Sequence, residues 1–356
     1  MEFCLYDAEF GYYSRNAAQF GKAGDFYTSS DVHAVFGRLL ARQFDEMWRA
    51  LGSPEQITLR ELGPGRGLFA QDVLDWSEKK FPEFFRALRY ELVEQSAALR
   101  ERISQTLSGR LEAGKAAFVE PAESPEDSAT ESLPTIVFAN EFFDAITVEV
   151  VSSQGSLRID SRDGRLVETW VSPSAEELEF LDRYSIHPEE GERVEVPLQA
   201  QKLMSAATDF DRGFVVVIDY GYTREEQLAG RHRGTLKAIR QHSVSANPYE
   251  APGEQDITAD VNFTALAAVA EARGLRTQKL ITQSQFLMGI GEANQFADAF
   301  EDCRMPQERA KVALQLKHLV TPAGMGESFH VLVASKGIDA EKVSSLAGLN
   351  FGRTLG

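Results

Sequence analysis

The sequence predicts an α/β fold built on a doubly wound, largely parallel sheet that carries two insertions. Three observations carry this reading. Strand and helix patterns alternate from residue 57 to residue 139. The run Phe214-Val215-Val216-Val217-Ile218-Asp219 is apolar up to its terminal acid, as a strand buried on both faces should be. A glycine-rich turn, Gly63 to Gly67, stands where the first strand gives way to a helix.

Taken in order, residues 1–30 are rich in Gly and Tyr and read as irregular. Asp31 is a candidate N-cap, and Val35, Phe36, Leu39, Leu40, Phe44 and Trp48 follow at helical spacing. Strands are expected at 57–62, 90–93, 117–119 and 135–139, with helices over 68–76 and 97–107. The polar stretch 121–128 is a surface loop. Residues 146–212 break the rhythm. They read as an antiparallel meander (148–151, 156–159, 166–170) with Asp163-Gly164 as a turn, then a helix over 198–208. After strand 214–219, the glycine- and proline-bearing stretch 220–260 reads as irregular. The chain closes with a helix at 263–272, a strand at 275–281, helices near 294–302 and 306–319, and a strand at 329–334. Residues 1–50 are expected to form a lid and helix. Residues 51–145, 213–221 and 261–340 are expected to form the core, and 146–212 and 222–260 a cap over the substrate.

Composition narrows the function. The 356 residues are 43% hydrophobic, ample for a full core. No apolar run reaches about 18 residues, so no membrane span is expected. The acidic start lacks a basic n-region and resembles neither a secretory signal nor a transit peptide, which points to the cytoplasm; a mitochondrial matrix location requires a transit peptide already removed. Cys4 and Cys303 are the only cysteines, so neither a disulfide framework nor a cysteine metal site is expected. A net charge of −17 disfavours nucleic acid and anionic membranes as partners and suits a cationic one, although solvated acidic faces alone give the same figure.

The motif Glu61-Leu62-Gly63-Pro64-Gly65-Arg66-Gly67 is G-x-G-x-G rather than G-x-G-x-x-G. Pro64 removes a backbone donor that a pyrophosphate cradle needs. Glu61 is misplaced beside a diphosphate but suits an ammonium group. Glu94, closing the next strand, can accept both hydroxyls of a ribose. Glu61, Gly63, Pro64, Gly65, Gly67 and Glu94 therefore suit an amino-acid-linked adenosine, S-adenosylmethionine, with no metal. After the fourth strand, Asn140 and Glu141 offer a carbonyl and a carboxylate where a doubly wound enzyme faces its ligands. A helix cap at Asn140 and Asp144 is the plainer alternative.

Together these residues resemble the MidA family of methyltransferases. The likeness runs through Gly11-Tyr12-Tyr13, Gly24-Asp25-Phe26-Tyr27-Thr28, Glu61 to Gly67, Val93-Glu94, Ala139 to Ala145, Asp219-Tyr220-Gly221-Tyr222, Gly234-Thr235-Leu236, His242 and Pro252 to Val261. The resemblance implies a Rossmann-like, seven-stranded SAM-dependent methyltransferase fold with an inserted α+β cap. It further implies a protein substrate methylated on arginine, and for the family's mitochondrial members a respiratory complex I subunit. Ser29 to His33 and Phe329-His330-Val331 depart from the family pattern.

For an arginine acceptor, a carboxylate pair holds the guanidinium. Glu141 is the first choice, with Asp144, Glu254 and Asp256 as alternatives; Asp256 equally suits a helix cap or loop acid. His242 is read as a base or as a structural residue. Gly24, Asp25 and Thr28 are read as a lid over the cofactor or a plain turn, and Asn140 as a further cofactor contact. Competing expectations are a small-molecule methyltransferase, a SAM-holding assembly factor with little turnover, and a nicotinamide-dependent oxidoreductase. Pro64 and Glu61 disfavour the last.

Overall fold

The computed structural model describes residues 1–15, 34–120, 133–240, 243–245, 247–292 and 294–352. The central sheet starts with β1 (Ile57–Leu62), β2 (Leu88–Val93), β3 (Ala116–Phe118) and β4 (Thr135–Asn140). The first insertion supplies β5 (Glu149–Ser152), β6 (Gly155–Arg162), β7 (Arg165–Val171) and β8 (Arg193–Val196). After β9 (Gly213–Tyr222) come β10 (Lys237–Arg240), β11 (Ser243–Ser245) and β12 (Asp256–Thr258). The chain ends its sheet work with β13 (Val261–Asn262), β14 (Arg276–Thr277), β15 (Ile281–Thr282) and β16 (Phe329–Lys336).

The large sheet runs β14-β16-β9-β4-β1-β2-β3, with β13 beside β9 and β15 beside β16. β3, β2, β1, β4 and β9 are parallel to their neighbours, and β16 is antiparallel to β9. From β1 the chain first builds outward through β2 and β3. It then crosses back to place β4 on the other side of β1. That reversal opens a crevice at the carboxyl ends of the strands.

Period-2 alternation explains why β4 and β9 lie at the centre. Phe138, Val216 and Ile218 enter the core on one face, with Phe36, Phe44 and Phe69. Val137, Ala139, Val215 and Val217 enter the other, with Met204 and Leu266. Each large side chain so buried stabilises the fold by roughly 1.5–3 kcal/mol. The helix Ala34–Ala50 buries Val35, Phe36, Leu39, Leu40, Phe44 and Trp48, the stripe expected of it. Its expected cap, Asp31, lies outside the described residues.

Five expectations change. Of the stretch 1–30 read as irregular, the described residues form the helices Glu2–Tyr6 and Tyr12–Arg15. The strand over 275–281 is instead two pairs of residues, β14 and β15, each antiparallel to β16. The polar Gln278 and Lys279 interrupt it at the sheet edge, where breaks and lysines guard against stray pairing. A helix at Gln283–Glu292, not anticipated, buries Phe286, Leu287 and Ile290. The helix near 294–302 shortens to Ala297–Phe300. The stretch 220–260 is not irregular throughout: it forms the helix Arg224–Leu228 and a sheet ordered β11-β10-β12.

The meander stands as expected, its turn made by Asp163 (φ 52°) and Gly164 (φ 72°), which suit a type I′ hairpin. β8 joins it on β5 as a fourth strand. At the other end, Leu5 and Tyr12 of the N-terminal segment pack on Ala238 and Ile257 of the small sheet. No described helix is long and apolar enough to cross a membrane. Cys4 and Cys303 are free and half-buried.

Candidate active site

The crevice is a cavity of about 750 Å³, within the roughly 300–1,000 Å³ typical of small-ligand sites. Its first half is the turn after β1. The register pairs Leu62 with Val93, and Gly63 N donates to Val93 O at 3.1 Å, so the glycine turn and Glu94 lie side by side. Gly63, Gly65 and Gly67 have φ of 63°, 54° and 76°, the left-handed region that glycine enters without strain. A Cβ on Gly63 would stand 2.7 Å from the Phe142 ring, and one on Gly65 would point into open space. The turn therefore lets a ligand rest on bare backbone.

Glu61 is buried at the floor, and its Oε2 accepts from the Tyr90 hydroxyl at 2.7 Å. Burial pushes its carboxyl up to about 8, against the lowering effect of that hydrogen bond. Glu94 accepts from the Ser96 amide at 2.8 Å, and burial raises its carboxyl to about 7. Ser96 in turn caps the helix Ala97–Thr106 through the Leu99 amide.

The second half is built from segments far apart in sequence. Asn140 ends β4, and its Nδ2 donates to Glu141 Oε1 at 3.1 Å. Asn140 Oδ1 is buried with no partner among the described residues, so it is open to a ligand donor. No helix follows, so the capping alternative for Asn140 and Asp144 does not hold. Instead Glu141 takes φ 50°, and the loop beyond it wraps one buried carboxylate. Asp219 Oδ2 accepts from the amides of Phe142, Phe143 and Asp144 at 3.2, 3.0 and 3.3 Å. Burial, then the negative charges of Asp144 and Glu141, raise the Asp219 carboxyl well above its ordinary range.

Asp144 Oδ2 accepts from the Tyr220 hydroxyl at 2.6 Å, and burial lifts its carboxyl to about 6. Asp256 lies on β12 rather than in a turn, because Ile239 and Asp256 pair within the small sheet. Its Oδ1 accepts from the Tyr13 hydroxyl at 2.9 Å. The small sheet docks on the loop through Ala259 N to Asp144 O, at 3.0 Å. The N-terminal segment crosses above: Tyr6 donates to Ala145 O at 2.7 Å, and Ser96 Oγ donates to Tyr13 O at 2.9 Å.

Glu61, Gly63, Pro64, Gly65, Glu94, Asn140, Glu141, Asp144 and Asp256 thus line one cavity. Glu254 does not join them; it is exposed and pairs with Arg240 at 2.9 Å. Gly24, Asp25, Thr28 and His242 lie outside the described residues. Among the described residues no cluster of three His, Cys, Asp or Glu suits a metal ion. Sequence reasoning missed Tyr6, Tyr13, Tyr90 and Tyr220. Tyr13 and Tyr220 stand within stretches that carry the family resemblance, and Tyr90 beside a predicted strand acid, but none was named as a site residue. The acid that ends β9 was visible, but its grip on the loop was not.

A family model described as an S-adenosyl-L-methionine-dependent methyltransferase matches residues 39–281. The chain belongs to this family. Its fold matches a COG1565 superfamily member from Burkholderia thailandensis bound to S-adenosyl-homocysteine, with a TM-score of 0.80 and 26% identity over 99% of this chain and 90% of that one. Among curated relatives, the protein arginine methyltransferase NDUFAF7 homolog of Drosophila melanogaster, mitochondrial, is 28% identical over 98% of this chain and 83% of its own length. The human protein arginine methyltransferase NDUFAF7, mitochondrial, is 27% identical over 87% of this chain and 73% of its own length. The chain is a methyltransferase whose cofactor is S-adenosylmethionine. The bare glycine backbone, the unpartnered Asn140 oxygen and the two raised carboxyls fit that group: bound, it supplies an electrophilic methyl.

Proposed function

We propose that this methyltransferase acts on arginine side chains of proteins. The observation that carries the reading is the half of the cavity beyond the glycine turn, lined by Glu141, Asp144 and Asp256. Carboxylates in a partly desolvated pocket favour a cation, and a guanidinium can be held by two of them at once. The names of the curated relatives support the same substrate class.

In this reading Glu61 takes the ammonium of the cofactor, Glu94 the ribose hydroxyls, and Gly63, Pro64 and Gly65 leave the backbone free for its approach, whereas Gly67 does not line the cavity and makes room for Ile103 and Leu107. Asn140 Oδ1 accepts from the adjoining amine donor. The acceptor nitrogen is placed by Glu141, Asp144 and Asp256. Placement of this kind supplies up to about 7–11 kcal/mol of a barrier. The sulfonium charge disappears in the reaction, so the acids belong at the cofactor's ends and on the acceptor, not at sulfur. The N-terminal segment closes over the cavity through Tyr6 and Tyr13, while the helix Ala34–Ala50 belongs to the core. The insertions 146–212 and 222–260 shape the substrate entrance. A respiratory complex I type subunit is the first substrate to test, and the free thiols suit the cytoplasm.

The experiment is transfer of radiolabelled methyl groups into a cell extract, followed by mass separation and amino-acid analysis. Label on protein arginine is expected. Label in soluble metabolites would replace the reading with a small-molecule enzyme. No label beside normal S-adenosylhomocysteine binding would replace it with an assembly factor.

A further inference from the structure

Two tyrosine–aspartate pairs face the acceptor half of the cavity from opposite elements. Tyr220, at the end of β9, holds Asp144 at 2.6 Å. Tyr13, in the N-terminal segment, holds Asp256 at 2.9 Å. We propose that these pairs form a clamp for the planar cation of the methyl acceptor, in which Asp144 takes the acceptor's proton and Tyr13 and Tyr220 are positioning residues. The proposal rests on the arginine reading.

The state of Asp144 points to a ligand. The residue is only 7% exposed, and its Oδ1 is buried with no well-formed hydrogen bond among the described residues, touched only by the nearby Ala145 and Asp144 amides. A buried carboxylate oxygen left without a well-formed hydrogen bond is costly, by about 1–3 kcal/mol or more for a charged group. A donor arriving with the substrate relieves that cost. Its neighbour Asp219 cannot play the part, because its Oδ2 already takes three backbone amides.

The walls match a flat cation. The rings of Tyr6 and Tyr13 stack at 5.6 Å with 26° between their planes, and both line the cavity as an aromatic wall. A guanidinium is planar, weakly hydrated and forked, so it lies against such a face while donating to carboxylates at its edge. The fold already sets a cation on the opposite ring: the Lys237 ammonium lies 4.3 Å from the centre of Tyr220 and pairs with Asp260 at 3.3 Å.

The reaction balances without a further reagent. The acceptor nitrogen forms its bond to the methyl carbon while the carbon–sulfur bond breaks and its electron pair stays on sulfur. The nitrogen loses one proton to the Asp144 carboxylate, which later passes it to water.

The pH response follows from the groups around Asp144. They are Tyr6 and Tyr13 from the N-terminal segment, Asp219 and Tyr220 from β9, Lys237 from β10, Asp256 from β12, and Glu141 from its own loop. The Tyr220 hydrogen bond, Lys237 and the nearby Ala145 and Asp144 amides hold the carboxyl down against burial.

The test loads the protein with S-adenosylhomocysteine and titrates N-acetyl-arginine methylamide by saturation-transfer NMR, with N-acetyl-citrulline methylamide as the neutral isostere. The wild type is expected to bind the arginine probe and not the citrulline probe. Tyr220→Phe and Tyr13→Phe are each expected to weaken it about 5- to 10-fold, the worth of one such hydrogen bond, with S-adenosylhomocysteine affinity unchanged. Asp144→Asn is expected to abolish probe binding. The pH midpoint of binding, about 6 in the wild type, should move upward in Tyr220→Phe, since a carboxylate-lowering donor is gone. If both Phe variants bind the arginine probe as the wild type does, with the midpoint unmoved, the clamp is wrong while the arginine reading survives. If the wild type does not discriminate arginine from citrulline, both fall.

Discussion

The two halves of the cavity are built in opposite ways. In the proposed reading the cofactor half comes from two adjacent strands and the turn between β1 and its helix, within residues 57–96, with Asn140 added from the end of β4. Its working parts are mostly backbone, with two acids set by strand register. The acceptor half draws on the N-terminal segment, the loop after β4, the end of β9 and the small inserted sheet. Its parts are side chains held by other side chains. In that reading local chain geometry secures the cofactor, and long-range packing secures the acceptor. A change in the first half should strike cofactor binding. A change in the second should strike turnover and stability while sparing the cofactor.

The largest effect expected is from Gly65→Val. A β-branched residue at φ 54° is strained, and its side chain fills the open space above the turn. Calorimetry should show S-adenosylhomocysteine binding weakened by more than about 100-fold, equivalent to about 3 kcal/mol. Normal binding would detach the turn from the ligand.

Asp219→Ala tests the other half. Removing the acceptor of three buried amides should cost about 3 kcal/mol of stability in denaturant titration. Asp219→Asn keeps an acceptor oxygen and should cost less. Equal losses in the two variants would show that the carboxylate oxygens do not hold the loop.

Glu61→Gln sharpens the comparison through pH. In the free protein Glu61 titrates at about 8 and Glu94 at about 7, both raised by burial. A cationic or hydroxyl-bearing ligand favours their ionised forms, so cofactor affinity should rise from pH 6 to pH 8. Glu61→Gln should bind about 10-fold more weakly at pH 8 and show a flatter profile. Stability runs the other way. Above the unfolded value near 4.5, the folded protein holds a proton on Glu61 that the unfolded chain has lost. This group's contribution is complete below that value and fades as pH rises through about 8, and Glu61→Gln should remove that slope.

The smallest effect lies outside both halves. Asp163→Val in the β6–β7 turn, at φ 52°, should cost about 1 kcal/mol and leave ligand binding unchanged.

What the sequence revealed follows the same division. The glycine turn, Glu61 and Glu94 were legible because strand, turn and acid are contiguous signals. The central strands were legible because alternate residues of β4 and β9 feed two cores. The broken edge strand at 276–282 and the small sheet of 237–258 were not, since their short strands exist only through pairing partners remote in the chain. Asp256 was named as a candidate, but its place on a strand under Tyr13 was invisible. Glu254, two residues away, was an equal candidate and points elsewhere. Glu254 sits in the turn before β12, outside the sheet, and only the pairing of Asp256 with Ile239 brings an acid of this stretch to the cavity.

The most direct test is a crystal structure of this protein with S-adenosylhomocysteine. The account predicts the ligand's amino group at Glu61, its ribose at Glu94, its chain over Gly63–Gly65, and its sulfur facing Asp144 and Tyr220. A ligand seated away from the β1 turn, or lying with its amino end toward Asp144, would contradict it.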